Sequence, residues 1–268
     1  MTHLARRWIL FCGLILSAAC PSAPKATKAT PTSHHYRLFF VADLRGELEP
    51  CGCTLEPLGG LARLASYLET RQEAGITPIL ITHGDLVSPG HVRAATLPQV
   101  RASGMFLQRQ LMDLGLVASG SGSEDVALDA EFDALETVAG MPWLRRGQTR
   151  LAHGLQLVRD GTKTQPIAAD TPAILFFDGA LKDARKNAAA LAARGIDLLI
   201  LPHGSATNTL IDLGHGLLAL QGGERGQHLV EVNLLWRGKG ALTRLQGAGE
   251  RQGEIKAIST RIEGLIKQ

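Results

Sequence analysis

Five short apolar runs, each ending at a polar or glycine turn, constrain this chain most. They are 36–42 before Asp43, 78–82 before His83-Gly84-Asp85, and 116–119 before a Gly/Ser loop. The other two are 172–177 before Asp178 and 197–201 before Pro202-His203. Runs this short, rich in β-branched and aromatic residues, read as buried strands. Longer segments with helical spacing lie between them. The first, 61–74, carries Leu61, Leu64, Ala65 and Leu68 and stops before Gly75. Others are predicted at 98–114, 129–139 and 181–194, the last closed by Gly195. Strands alternating with helices imply an α/β layered sheet. Ligands in such sheets bind outside the carboxyl ends of strands, and the polar residues gather at those ends.

The remaining segments are less regular. Residues 148–170 read as short strands and turns. Further strands are expected at 216–220, 228–237 and 241–246. The tail 252–267 spaces Ile255, Ile258, Ile262, Leu265 and Ile266 as a short amphipathic helix. No Cys-x-x-Cys-His is present, which excludes a c-type haem. The turns at Gly214-His215-Gly216 and Gly222–Gly226 lack the context of a phosphate-binding loop.

The amino-terminal segment reads as an export signal. Arg6 and Arg7 precede an apolar stretch, 8–16, that is too short for a permanent span. Ser17-Ala18-Ala19-Cys20 follows and resembles a bacterial lipoprotein box, with Leu16 one place early. On that resemblance Cys20 is the lipidated residue and the anchor to a membrane, the outer one favoured by Pro21. An ordinary cleaved signal and an uncleaved anchor are the alternatives. Residues 21–35 are rich in Pro, Ala, Lys and Thr and have no apolar period, so they read as a tether. The expected division is therefore 1–19 leader, 20–35 anchor and tether, 36–247 folded domain and 248–268 helical tail.

Charge excludes one class of partner. The formal charge is +3, and removing Arg6 and Arg7 leaves about +1. Nothing there argues for nucleic-acid binding. Of the four cysteines, Cys12 leaves with the leader and Cys20 is the lipid site, so Cys51 and Cys53 remain. Export places them in an oxidising compartment. A Cys-Gly-Cys fits a strained, readily reduced disulfide, a soft-metal site, or a structural crosslink.

The strand-end motifs resemble those of calcineurin-like metallophosphoesterases, in their 5′-nucleotidase-like branch. The likeness runs from 36 to 237 and implies a layered β-sandwich flanked by helices, with two metal ions held at strand ends. Asp43-Leu44-Arg45 stands where that family has Asp-x-His. Gly59-Gly60-Leu61-Ala62-Arg63 and Gly84-Asp85 are intact, so Asp85 falls at the metal-bridging carboxylate. Gly122-Ser123-Glu124-Asp125 stands for Gly-Asn-His-Glu. Asp178-Gly179 follows the strand where a His is expected. Pro202-His203-Gly204-Ser205 matches the first His of the last motif, and Ser205 replaces the second.

The resemblance thus leaves Asp43, Asp85, Asp178 and His203 as metal-ligand candidates and Glu124 as a weak catalytic one. Arg45, Ser123 and Ser205 alter the site. A guanidinium has no lone pair for a metal, so Arg45 is expected to replace one ion and pair with Asp43 or Asp85 as a fork. Taken singly, Asp43 and Asp85 also read as helix-capping loop residues. His83, His203 and His215 likewise read as structural histidines. The Leu-Glu-Pro-Cys-Gly-Cys run resembles a subgroup of exported bacterial nucleotidase-like proteins, some with selenocysteine.

Three functions follow as expectations. One is a tethered, non-catalytic binding or assembly module with an envelope protein as partner. Another is a phosphoesterase acting on a small phosphate ester through one divalent metal held by Asp85, Asp178 and His203. The last is a redox or soft-metal protein built on Cys51 and Cys53. The cofactor is accordingly one divalent metal or none.

Overall fold

A computed structural model describes residues 34–50, 58–73, 77–128, 130–137, 140–159, 166–202 and 210–238, with the backbone of 243–244 and 257–264. Cys20, Cys51, Cys53, His203 and Ser205 lie outside the described residues.

The first half of the chain runs β1 (His34–Ala42), α1 (Leu61–Glu73), β2 (Ile79–Gly84), α2 (Leu97–Asp113), β3 (Leu116–Ser121), α3 (Ser123–Val126) and α4 (Ala130–Glu136). The second half runs β4 (Thr149–Ala152), β5 (Leu155–Arg159), β6 (Ala173–Phe176), α5 (Leu181–Ala193), β7 (Leu198–Leu201), β8 (Leu210–Asp212) and β9 (Leu218–Gln221). It ends with β10 (His228–Trp236), β11 (Thr243–Arg244) and β12 (Ala257–Gly264). Among the described residues these strands form two six-stranded sheets, ordered β11-β12-β10-β1-β2-β3 and β4-β5-β6-β7-β9-β8. Both sheets are mixed. Strands β1, β2 and β3 run parallel, as do β5, β6, β7 and β9, while β10 pairs antiparallel with β1.

Alternation within each strand explains why the runs are apolar without a break. In β1, Leu38, Phe40 and Ala42 join a cluster that also holds Ile174, Phe176, Leu198 and Ile200 of the second sheet. Their neighbours Phe39 and Val41 pack instead with Leu64 and Leu68 of α1 and Leu107 and Leu111 of α2. On the second sheet, Leu175, Leu199 and Ala219 face Ala184, Ala188 and Leu191 of α5. The layers are therefore helix, sheet, sheet, helix, and each central strand is buried on both faces. A buried charge on β10 interrupts this pattern. Glu231 of β10 sits on the helix side, where it accepts from Tyr67 (2.7 Å) and pairs with Arg37 (3.1 Å) and Arg71 (3.2 Å).

The tail departs from expectation. Residues 257–264 form strand β12, not a helix, antiparallel to β10 and in register from Ala257 opposite Leu235 to Gly264 opposite His228. Ile258 and Ile262 are four apart, a spacing that serves a helical stripe and a strand face alike. The β-branched Ile258, Thr260 and Ile262 alternate, and they lie opposite Leu234, Val232 and Val230. Pairing also covers the hydrogen-bonding edge that β10 would otherwise present. The sheet thus extends past residue 247, and β1 begins at His34, inside the expected tether.

Candidate functional site

The carboxyl ends of β1, β2 and β3 carry three aspartates whose carboxylates clamp backbone. Asp43 Oδ1 accepts the Asp85 N–H at 2.8 Å. Asp85 Oδ1 accepts from Glu124 (2.8 Å) and Asp125 (3.2 Å), so it caps α3. The Asp125 carboxylate accepts from Leu86 (2.7 Å), Val87 (2.9 Å), Ser88 (2.8 Å) and Gly122 (3.4 Å). Burial pushes Asp125 up to about 7, against the pull of those N–H groups. Two glycines are required for this closeness. A Cβ on Gly84, whose φ is +103°, would lie 2.3 Å from Asp43 Oδ1, and one on Gly122 would lie 2.0 Å from Asp85 Oδ1.

Arg45 completes the first cluster. Its Nη2 donates to Asp43 Oδ2 at 2.9 Å, a single contact rather than a fork. Burial works against the Arg45 charge, and the Asp43, Asp85 and Glu224 carboxylates more than offset it, holding its pKa above the ordinary value. Asp43 and Arg45 both adopt left-handed backbone (φ 50° and 51°), a conformation few non-glycine residues take. Such strain persists where surroundings fix it. Here the Arg45 and Gly46 N–H groups donate to the Asp85 and Leu86 carbonyls, both at 2.8 Å.

The second cluster lies at the ends of β5 and β6. Arg159, 5% exposed, makes a forked pair with Asp178: Nη2 to Oδ1 at 2.9 Å and Nε to Oδ2 at 3.3 Å. The same guanidinium donates to Ser121 Oγ (2.9 Å), Ser121 O (2.7 Å) and Leu144 O (3.0 Å). Arg146 adds its Nε to Asp178 Oδ2 at 3.0 Å. Both Asp178 oxygens are thus engaged by guanidinium groups.

His83, at the end of β2, joins the two sheets. Its Nδ1 lies 3.3 Å from Gly120 O and its Nε2 3.2 Å from Phe177 O. Asp178 Oδ1 is 3.7 Å from Nε2. Burial first, then the Arg159 charge, push His83 down to about 4, with Asp178 and the two carbonyls opposing. A histidine whose folded pKa is depressed stabilises the fold while neutral. That contribution is lost as pH falls from about 6.5 to about 4, where the unfolded chain takes up the proton first. Relative to His83→Gln, the natural chain is therefore expected to lose up to about 3 kcal/mol across that window. Urea titrations at stepped pH check this, and parallel pH profiles for the two proteins would contradict it.

Between α4, the turn before β4 and the ends of β3 and β6 lies a cleft of about 690 Å³. His83, Ser123, Arg146, Arg159 and Asp178 line it. Glu124 does not. It lines a separate surface groove with His91, Arg93 and Glu131, because its backbone position in the first turn of α3 sends the side chain elsewhere. Among the described residues no group of three His, Cys, Asp or Glu stands together as a metal cage. His215 sits in a turn with φ of 56°.

Arg159, Arg146, His83 and Asp125 went unread as site residues in the sequence. The one signal for Arg159 is a charge closing the mostly apolar segment Leu155-Gln156-Leu157-Val158 at a strand end.

No family model matches this sequence, and no curated protein matches it by sequence. Solved structures do match in fold. A Thermus thermophilus sulfate thiohydrolase, SoxB, in complex with glycerol, aligns over 86% of this chain and 56% of its own length, with TM-score 0.58 and 14% identity. A putative 5′-nucleotidase from Staphylococcus aureus aligns over 88% of this chain and 55% of its own, with TM-score 0.59 and 13% identity. The NAD nucleotidase of Haemophilus influenzae aligns over 79% and 50%, with TM-score 0.57 and 9% identity. The chain spans about half the length of these structures. At such identities the likeness concerns architecture alone. With two mixed sheets flanked by helices, the chain has the metallophosphoesterase-like fold of the 5′-nucleotidase and SoxB structures.

Proposed function

We propose that this protein is an exported lipoprotein, tethered through Cys20, whose domain binds rather than hydrolyses. The observation that carries the reading is the pairing of strand-end carboxylates with guanidinium groups: Asp43 with Arg45, and Asp178 with Arg159 and Arg146. In the related hydrolases the resemblance assigns such carboxylates to metal ions, which supply the Lewis acid and the activated water. The donors here do not fit a pair of ions. Arg45 lies within hydrogen-bond reach of Asp43, and a fixed positive charge that close opposes a divalent ion. Asp85 keeps one oxygen, Oδ2, without a hydrogen-bond partner among the described residues, which is a poor site by itself.

Hydrolysis of a generic phosphomonoester and of nucleoside monophosphates tests the reading. Added Mn²⁺ or Zn²⁺ is expected to produce no turnover above a heat-denatured control. Metal-dependent turnover abolished by Asp85→Ala would establish the hydrolase alternative instead.

A further inference from the structure

We infer that the cleft beside Asp178 binds a small zwitterion, an amino acid or short peptide with free ends, held between Arg146 and Asp133. The inference rests on the metal-free reading of the site.

The charges around the cleft are balanced but not evenly placed. Arg145, Arg146 and Arg159 face Asp133, Glu136 and Asp178. A dianion would meet as many carboxylates as guanidinium groups. Beside Asp178, Arg159 and Arg146 share its single carboxylate, which leaves one positive charge in excess. On α4, Glu136 is matched by Arg145. Asp133, one helical turn away, has no ion-pair partner among the described residues. The cleft is therefore dipolar, positive beside Asp178 and negative on α4. A ligand carrying both charges satisfies both ends, whereas a ligand of one sign leaves the other end opposed.

The free valences agree with that polarity. Arg159 spends its guanidinium on Asp178, Ser121 and Leu144 and is fixed. Arg146 uses only Nε on Asp178, its side chain is 72% exposed, and its two Nη groups remain for a ligand carboxylate. A planar carboxylate is the natural partner of such a fork. Val126 and Phe132 supply an apolar wall. A volume of about 690 Å³ suits a ligand of a few residues.

Calorimetric titration of the full chain in detergent, with chelator present, tests this. The probes are dipeptides pooled by side-chain class, their N-acetylated forms, their carboxamides, and inorganic phosphate. Free-ended dipeptides are expected to bind, and capping either end is expected to weaken binding about tenfold or more. Asp133→Asn should remove the penalty for acetylation, and Arg146→Gln the penalty for amidation. Both residues are on the surface of the cleft, and circular dichroism confirms that the variants fold. Preference for phosphate, indifference to capping, or no binding by any pool would overturn the proposal. Binding that appears only when a divalent metal replaces the chelator would overturn the metal-free reading as well. Absence of binding in both conditions would overturn the zwitterion alone.

Discussion

Asp125→Ala is expected to destabilise the protein by about 4 kcal/mol or more, the largest effect of any single change at the strand ends. The carboxylate is fully buried and accepts four backbone N–H groups, from Leu86, Val87, Ser88 and Gly122. Alanine offers none of them an acceptor. A buried donor left without a partner costs about 1–3 kcal/mol, and four neighbours share that cost with some relaxation. Domains hold about 5–15 kcal/mol in total, so the alanine variant should stand near unfolding at ambient temperature. Asp125→Asn keeps one acceptor oxygen and should lose about half as much. Urea midpoints for the two variants check the order. An alanine variant within about 1 kcal/mol of the natural chain would show that the clamp does not hold the loop.

Arg159→Met is expected to cost about 3 kcal/mol, because it breaks a buried pair and strands several acceptors. Asp178 would keep Arg146, while Ser121 O and Leu144 O would lose their donor. Asp178→Asn in the same chain should recover part of the loss, since a mostly buried amide needs less compensation than a carboxylate that has lost one of its two guanidinium partners. A second readout separates electrostatics from packing. Removing the Arg159 charge should let the His83 pKa rise from about 4, visible in the ring resonances. An unchanged His83 in a destabilised Arg159→Met would limit the role of Arg159 to packing.

The sheets were legible in the sequence because burial on both faces leaves no polar alternation to confuse the reading. Runs such as Leu198–Leu201 have no other explanation once glycine and proline close them. The tail was not legible for the opposite reason. Ile258 and Ile262 satisfy two periods at once, and only the unpaired edge of β10 decides between them. Asp43, Asp85 and Asp178 were found as strand-end acids, and the structure places each at the end of its strand. What surrounds them was less visible. Arg45 shares a loop with Asp43, so its pairing could be expected. Arg159 reaches Asp178 from the neighbouring parallel strand, and no local spacing in the sequence announces that. Asp125 looked like the end of a motif, although its carboxylate fixes the loop that carries Asp85. Glu124 donates its N–H to Asp85, while its side chain lines a separate groove with His91 and Arg93.

Metal content tests the central claim most directly. The full chain, purified from an oxidising compartment without a metal-affinity tag, would be assayed for Zn, Mn, Fe and Cu per chain. Guanidinium groups on Asp43 and Asp178 predict no near-stoichiometric metal that depends on Asp85. Copper or zinc lost only in Cys51→Ser would leave that prediction intact and assign the metal to the thiols. Stoichiometric Zn, Mn or Fe that disappears in Asp85→Ala would contradict it and favour the hydrolase alternative.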